Sequence, residues 1–195
     1  MSDSRPAARL RRIVVVGTTG SGKTTLARQL SQRLGIRHVE MDALKWAPNW
    51  TPAEPEVFRQ ATARALQGDA WVTDGNYSKL RDIVWSRADT VVWLDLALPI
   101  ILGRLIWRTV RRIATREELW NRNRESLRAQ MGRDSLIAWA LRTYRRRRRE
   151  YPMLFARPEN AHLAIVHLRS PRETRQWLAR LPATEDGGEP PRANE

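Results

Sequence analysis

Ile13-Val14-Val15-Val16 is an uninterrupted β-branched run that ends on Gly17-Thr18-Thr19-Gly20-Ser21-Gly22-Lys23-Thr24. A short continuous run of this kind suits a strand buried on both faces of a parallel sheet. Beyond the octapeptide, Leu26, Leu30 and Leu34 recur at helical spacing, and Gly35 supplies a stop. Strand, glycine loop and helix in direct succession constrain the chain severely. The glycines let the backbone curl until several N–H groups point inward, and the helix N-terminus adds its dipole at the same place. The octapeptide fits G-x-x-x-x-G-K-[ST] at every fixed position. Gly17, Thr18, Thr19, Gly20, Ser21, Gly22, Lys23, Thr24 and Thr25 are therefore expected to hold ATP. Lys23 is expected to reach the β- and γ-phosphates, and Thr24 to offer its hydroxyl to Mg²⁺.

The rest of the chain alternates strand and helix patterns. Strands are predicted at His38–Met41, Ala70–Thr73, Thr90–Leu94 and Leu163–Leu168. Helices are predicted at Pro52–Leu66 (capped by Thr51), Ser78–Arg87, Pro99–Ala114, Asp134–Tyr151 (ending near Pro152) and Pro171–Leu181. Ala43–Thr51 reads as an irregular loop and Arg116–Arg133 as a polar, Arg-rich break. This order implies right-handed βαβ units: an α/β, three-layer fold with a five-stranded parallel sheet and an Arg-rich helical lid at about 104–133. A single domain over 12–181 is expected, with a basic lead-in at 1–11 and a disordered tail at 182–195. Ligands of such sheets bind beyond the strands' C-terminal ends. Asp42, Asp74 and Asp95 fall at three of those ends.

Charge adds a second theme. Lys and Arg number 35 against 21 acids, a formal net charge of +14, yet only Lys23, Lys45 and Lys79 are lysines. A GC-rich genome accounts for the Arg:Lys ratio but not for the excess of base, which suits a polyanionic ligand, either nucleotide or nucleic acid. Arg145–Arg149 covers every face of a helix, so it is either an exposed basic end or an electrostatic site for nucleic acid. The 195 residues contain no cysteine and no uninterrupted apolar run of membrane-spanning length. A cytoplasmic protein with no membrane partner is expected.

A glycine loop alone does not separate kinases from ATPases or GTPases, but an N-K-x-D guanine signature is absent. The glycine loop, His38–Trp50 (HVEMDALKWAPNW), Trp71–Ser78 (WVTDGNYS) and the arginine spacing in Leu102–Arg128 together resemble the P-loop nucleoside and nucleotide kinases. They look most similar to the adenylate-kinase-like proteins of the topology modulation type. The resemblance implies that Asp74 helps hold Mg²⁺ through water. It also implies that Arg104 and Arg108 stack on adenine and reach the ATP phosphates, and that Arg122 clamps the transferring phosphoryl group. Asp42 would hold magnesium through water or orient an acceptor hydroxyl. Trp46 and Trp50 would stack on an acceptor or pack the neighbouring helix onto the sheet. Adenylate kinases continue Asp-Gly with Phe-Pro-Arg, whereas this chain has Asn76-Tyr77-Ser78, with Lys79 or Arg81 as replacement cations. The acceptor side is thus assigned Asp42, Trp46, Trp50, Asn76 and Tyr77. The expected function is transfer of the ATP γ-phosphoryl group to a small acceptor with Mg²⁺. A nucleotide-regulated nucleic-acid-binding protein is the alternative.

Overall fold

The computed structural model describes residues 10–75, 77–115 and 135–183. Strand β1, Arg12–Gly17, is buried from Ile13 onward and occupies the middle of the sheet. Glycine-rich turn residues lead into α1, Lys23–Leu34. The chain continues through β2, Arg37–Glu40, and the short helix α2, Met41–Lys45. A hairpin of two-residue strands follows, β3 at Trp46–Ala47 and β4 at Thr51–Pro52, paired antiparallel. Next come α3 (Pro55–Ala65), β5 (Trp71–Asp74), α4 (Arg81–Arg87), β6 (Thr90–Leu94) and α5 (Leu98–Thr115). The remaining elements are α6 (Leu136–Phe155), β7 (Ala164–Leu168) and α7 (Pro171–Arg180).

The main sheet has the order β2-β5-β1-β6-β7, all parallel. Successive side chains of β1 point to opposite faces, as the pleat requires. Ile13 and Val15 join Leu26, Leu30 and Val72 under α1 and α7, with Trp177 and Leu178 packed alongside. Val14 and Val16 join Phe58, Trp85, Tyr151 and Leu154 under α3, α4 and α6. Two apolar layers sandwich the sheet, so truncating a fully buried residue such as Leu30 should cost about 2–5 kcal/mol.

Three local expectations need correction. Ala43–Thr51 is not irregular: α2 continues past Asp42 to Lys45, and the hairpin follows. Ala53 N–H donates to Lys45 O at 2.8 Å, closing that segment on itself. Pro52 is therefore held in a strand, and the next helix starts at Pro55 with Glu54, not Thr51, at its cap. The last long helix runs through Pro152 to Phe155. Pro152 lies on its exposed side, while Tyr151 and Leu154 anchor that end in the core. Of the expected lid, residues 116–133 lie outside the described residues.

Candidate active site

The loop after β1 is built to present amides. Gly22, the N-cap of α1, has φ 95° and no side-chain cap, so the first-turn N–H groups of α1 receive no side-chain acceptor there. Gly20 is left-handed (φ 82°), and a Cβ on it would lie 2.9 Å from the carbonyl oxygen of Ile101. Helix α5 presses that closely on the loop. Ser21 N–H and the Lys23 ammonium both donate to Thr18 O, at 3.0 and 3.3 Å. Arg104 Nη1 donates to Ser21 O at 3.0 Å. The Ser21 hydroxyl is buried without a hydrogen-bond partner among the described residues. Burial, then the guanidinium of Arg147, bring the Lys23 pKa down to about 8, against the opposing pull of Asp74 and Asp42.

Asp74 closes β5 directly opposite. The Thr24 hydroxyl donates to Asp74 Oδ2 at 2.5 Å. His38 Nε2 lies 3.0 Å from Asp74 Oδ1, so with an ionised carboxylate that nitrogen carries the proton. The other ring nitrogen of His38 is 3.8 Å from Glu40, which Arg28 holds at 2.6 Å. Burial alone would raise the Asp74 carboxyl, but the hydrogen bonds from His38 and Thr24, with the charge of Lys23, outweigh it and hold the pKa below its ordinary value. No group of three or more His, Cys, Asp or Glu side chains forms a metal cage among the described residues. One hydroxyl and one carboxylate of hard oxygen character fit Mg²⁺, which keeps several waters and shares phosphate oxygens rather than filling a protein cage.

Across the cleft, the Tyr77 hydroxyl donates to Asp42 Oδ1. Burial and the adjacent Asp42 charge push the phenol far above its usual pKa, so it stays a donor. The Tyr77 ring packs edge-on against Phe58 at 5.0 Å. Trp46 and Trp50 meet edge-to-face at 5.8 Å. The Lys45 ammonium sits 4.9 Å from the Trp46 ring and 4.8 Å from the Tyr77 ring. The loop, Asp74, Asp42 and these aromatics line one cleft of about 2140 Å³. Typical single-ligand pockets are roughly 300–1,000 Å³, so this cleft has room for a nucleotide and a second molecule.

Arg104, Arg108 and Thr25 also line the cleft. Asn76 and Arg122 lie outside the described residues. Lys79 stands at the rim, whereas Arg81 stacks on Trp85 at 5.1 Å. Ser170 caps α7 by accepting from Glu173 N–H at 3.1 Å, which brings Pro171 to the cleft wall. Asp95 is engaged elsewhere: Arg148 Nε lies 3.0 Å from Oδ1 and His167 Nε2 lies 3.1 Å from Oδ2.

Sequence reasoning did not single out His38, Lys45 or Arg147 as site residues. Arg147 Nη1 donates to Gly17 O at 3.4 Å and faces the cleft beside Lys23. A signal existed: Ala140, Thr143, Tyr151 and Leu154 are the buried face of α6, and position 147 falls on that stripe. The charge run masked it.

The comparisons agree with this geometry. A family model described as "ATPase family associated with various cellular activities (AAA)" matches residues 13–95, less than half of the chain. The shikimate kinase of Synechococcus elongatus is 29% identical over 134 residues, covering 58% of this chain and 70% of that protein. The shikimate kinase of Thermosynechococcus vestitus is 33% identical over 107 residues, covering 48% and 58% of the two chains. The structure of shikimate kinase from Acinetobacter baumannii in complex with shikimate superposes with TM-score 0.55 at 17% identity, covering 88% of this chain and 90% of that one. Fold and loop geometry together define a P-loop kinase fold. In sequence the chain is similar to shikimate kinases, and its fold is that of P-loop kinases of small molecules. Among the described residues no helix is long and apolar enough to cross a membrane.

Proposed function

We propose that this chain transfers the γ-phosphoryl group of ATP to a hydroxyl of a small acceptor seated between Asp42, Tyr77 and the Trp46–Trp50 pair. The carrying observation is the Thr24–Asp74 hydrogen bond at the mouth of the glycine loop, with the Asp42–Tyr77 pair lining the same cleft. The loop amides and Lys23 grip the ATP phosphates. Thr24 would ligate Mg²⁺ and Asp74 would help hold it through water, and the ion would supply neutralisation of phosphate charge. Asp42, held by the Tyr77 hydroxyl, orients the acceptor hydroxyl and takes its proton as the new O–P bond forms and the bond to the ADP oxygen breaks. Arg104 and Arg108, with Arg122 as the lid contribution, neutralise the charge on the transferring group. The tryptophans give the acceptor an apolar wall and help keep water out.

The test is ATP-to-ADP turnover with Mg²⁺ across nucleosides, nucleoside monophosphates and hydroxylated acids. Shikimate, the ligand of the A. baumannii structure, is the first to try. Acceptor-dependent turnover that Lys23→Ala reduces by about 10²-fold or more is expected. Turnover that survives in Lys23→Ala would remove the reading.

A further inference from the structure

The acceptor side of the cleft contains a cation with an unusual setting. Lys45 is half-buried, and its ammonium lies against the Trp46 and Tyr77 rings. Among the described residues it makes no ion pair, although Asp42 lies one helical turn earlier on α2. Asp42 instead takes its hydrogen bond from Tyr77. The neighbouring cations are committed or peripheral. Arg59 is bound to Asp82, Arg81 lies on Trp85, and Lys79 is exposed. Aromatic faces hold an ammonium in place but leave its N–H donors without an acceptor. A charge placed in this way lacks one thing, an anionic oxygen.

Resting on the kinase reading above, we propose that the acceptor is an anion, carrying a carboxylate or phosphate that pairs with Lys45 while its hydroxyl lies at Asp42. The two side chains leave the same short helix at an i, i+3 spacing, so they project from neighbouring positions. That spacing favours a compact acceptor whose hydroxyl and anionic group are separated by a few bonds. Charge discrimination follows from desolvation. A neutral analogue offers the ammonium no anionic acceptor, whereas an anion supplies a charge-assisted hydrogen bond.

The experiment compares matched probes differing by one charge: shikimate with its methyl ester, and AMP with adenosine. Each is titrated by calorimetry into the intact protein holding Mg²⁺ and ADP, and assayed for turnover wherever it supports any. One or both anions should bind about 10- to 100-fold more tightly than the neutral partner, and Lys45→Met should remove that margin without weakening ADP binding. Lys45→Arg, which keeps the charge, should retain most of it and controls for folding. A margin for shikimate alone assigns a carboxylate, and for AMP alone a phosphate. Equal binding of charged and neutral partners, or a margin that persists in Lys45→Met, overturns the proposal. Loss of kinase activity with the margin intact would overturn only the kinase reading.

Discussion

Lys23 sits where burial and Arg147 both disfavour its charge, so its pKa falls from 10.5 to about 8. Between those values the unfolded chain binds a proton that the folded chain has released. Stability of the ligand-free protein should therefore rise with pH from about 8 to 10 through this group, and Lys23→Met should flatten that rise in urea titrations. Bound phosphates should restore the proton. ADP binding at pH 8 should take up about half a proton in wild type and none at this site in Lys23→Met, read from calorimetry in buffers of different ionisation enthalpy. Asp74 has the opposite sign. Its lowered pKa stabilises the fold above the ordinary value of 3.8, and that stabilisation is lost as pH falls through the lowered value. Lys23, Thr24 and Asp74 were legible because motif spacing and strand ends locate them. His38 was not, because its contact with Asp74 is made only when β2 pairs with β5.

Helix α6 shows what element-level reading captures and misses. Its existence was expected from the sequence, but its end was placed short, because burial of Tyr151 and Leu154 carries the helix past Pro152. Nor did its charge run divide in the sequence. Arg147 turns to the glycine loop and Arg148 to Asp95, while Arg146 stays on the half-exposed side with Glu150. The two inward arginines should separate in a mutant series. Arg147→Ala should lower kcat by about tenfold or more, as the loss of a cation beside the phosphates. Asp95→Asn should instead cost about 1–2 kcal/mol in urea denaturation, discounted because Arg148 is half exposed, with little change in the KM for ATP. Helix α3 erred differently. Two prolines, Pro52 and Pro55, both satisfy the rule for a first turn, and only the Ala53–Lys45 hydrogen bond decides between them.

At the scale of the molecule, the layered parallel sheet was readable because every crossover carries a helix and every inner strand is apolar on both faces. The meaning of the +14 charge was not. Many of those arginines, among them Arg104, Arg108, Arg142 and Arg147, face one cleft. Retention of labelled duplex DNA should accordingly be weak, fall steeply between about 50 and 200 mM salt, and be competed by ATP, as anisotropy titrations would report. Competition-resistant binding at high salt would point instead to a dedicated nucleic-acid surface.

The segment from Met41 to Ala53 hangs from β2, an edge strand, and closes through its own hairpin and the Ala53–Lys45 hydrogen bond. It touches neither β1 nor the glycine loop through any strand pairing. Its backbone pairs only with itself, while Met41 in the core and the Asp42–Tyr77 hydrogen bond anchor it to the body. On the kinase reading, changes at its exposed cleft-facing side chains should therefore alter the acceptor while leaving the glycine loop in place.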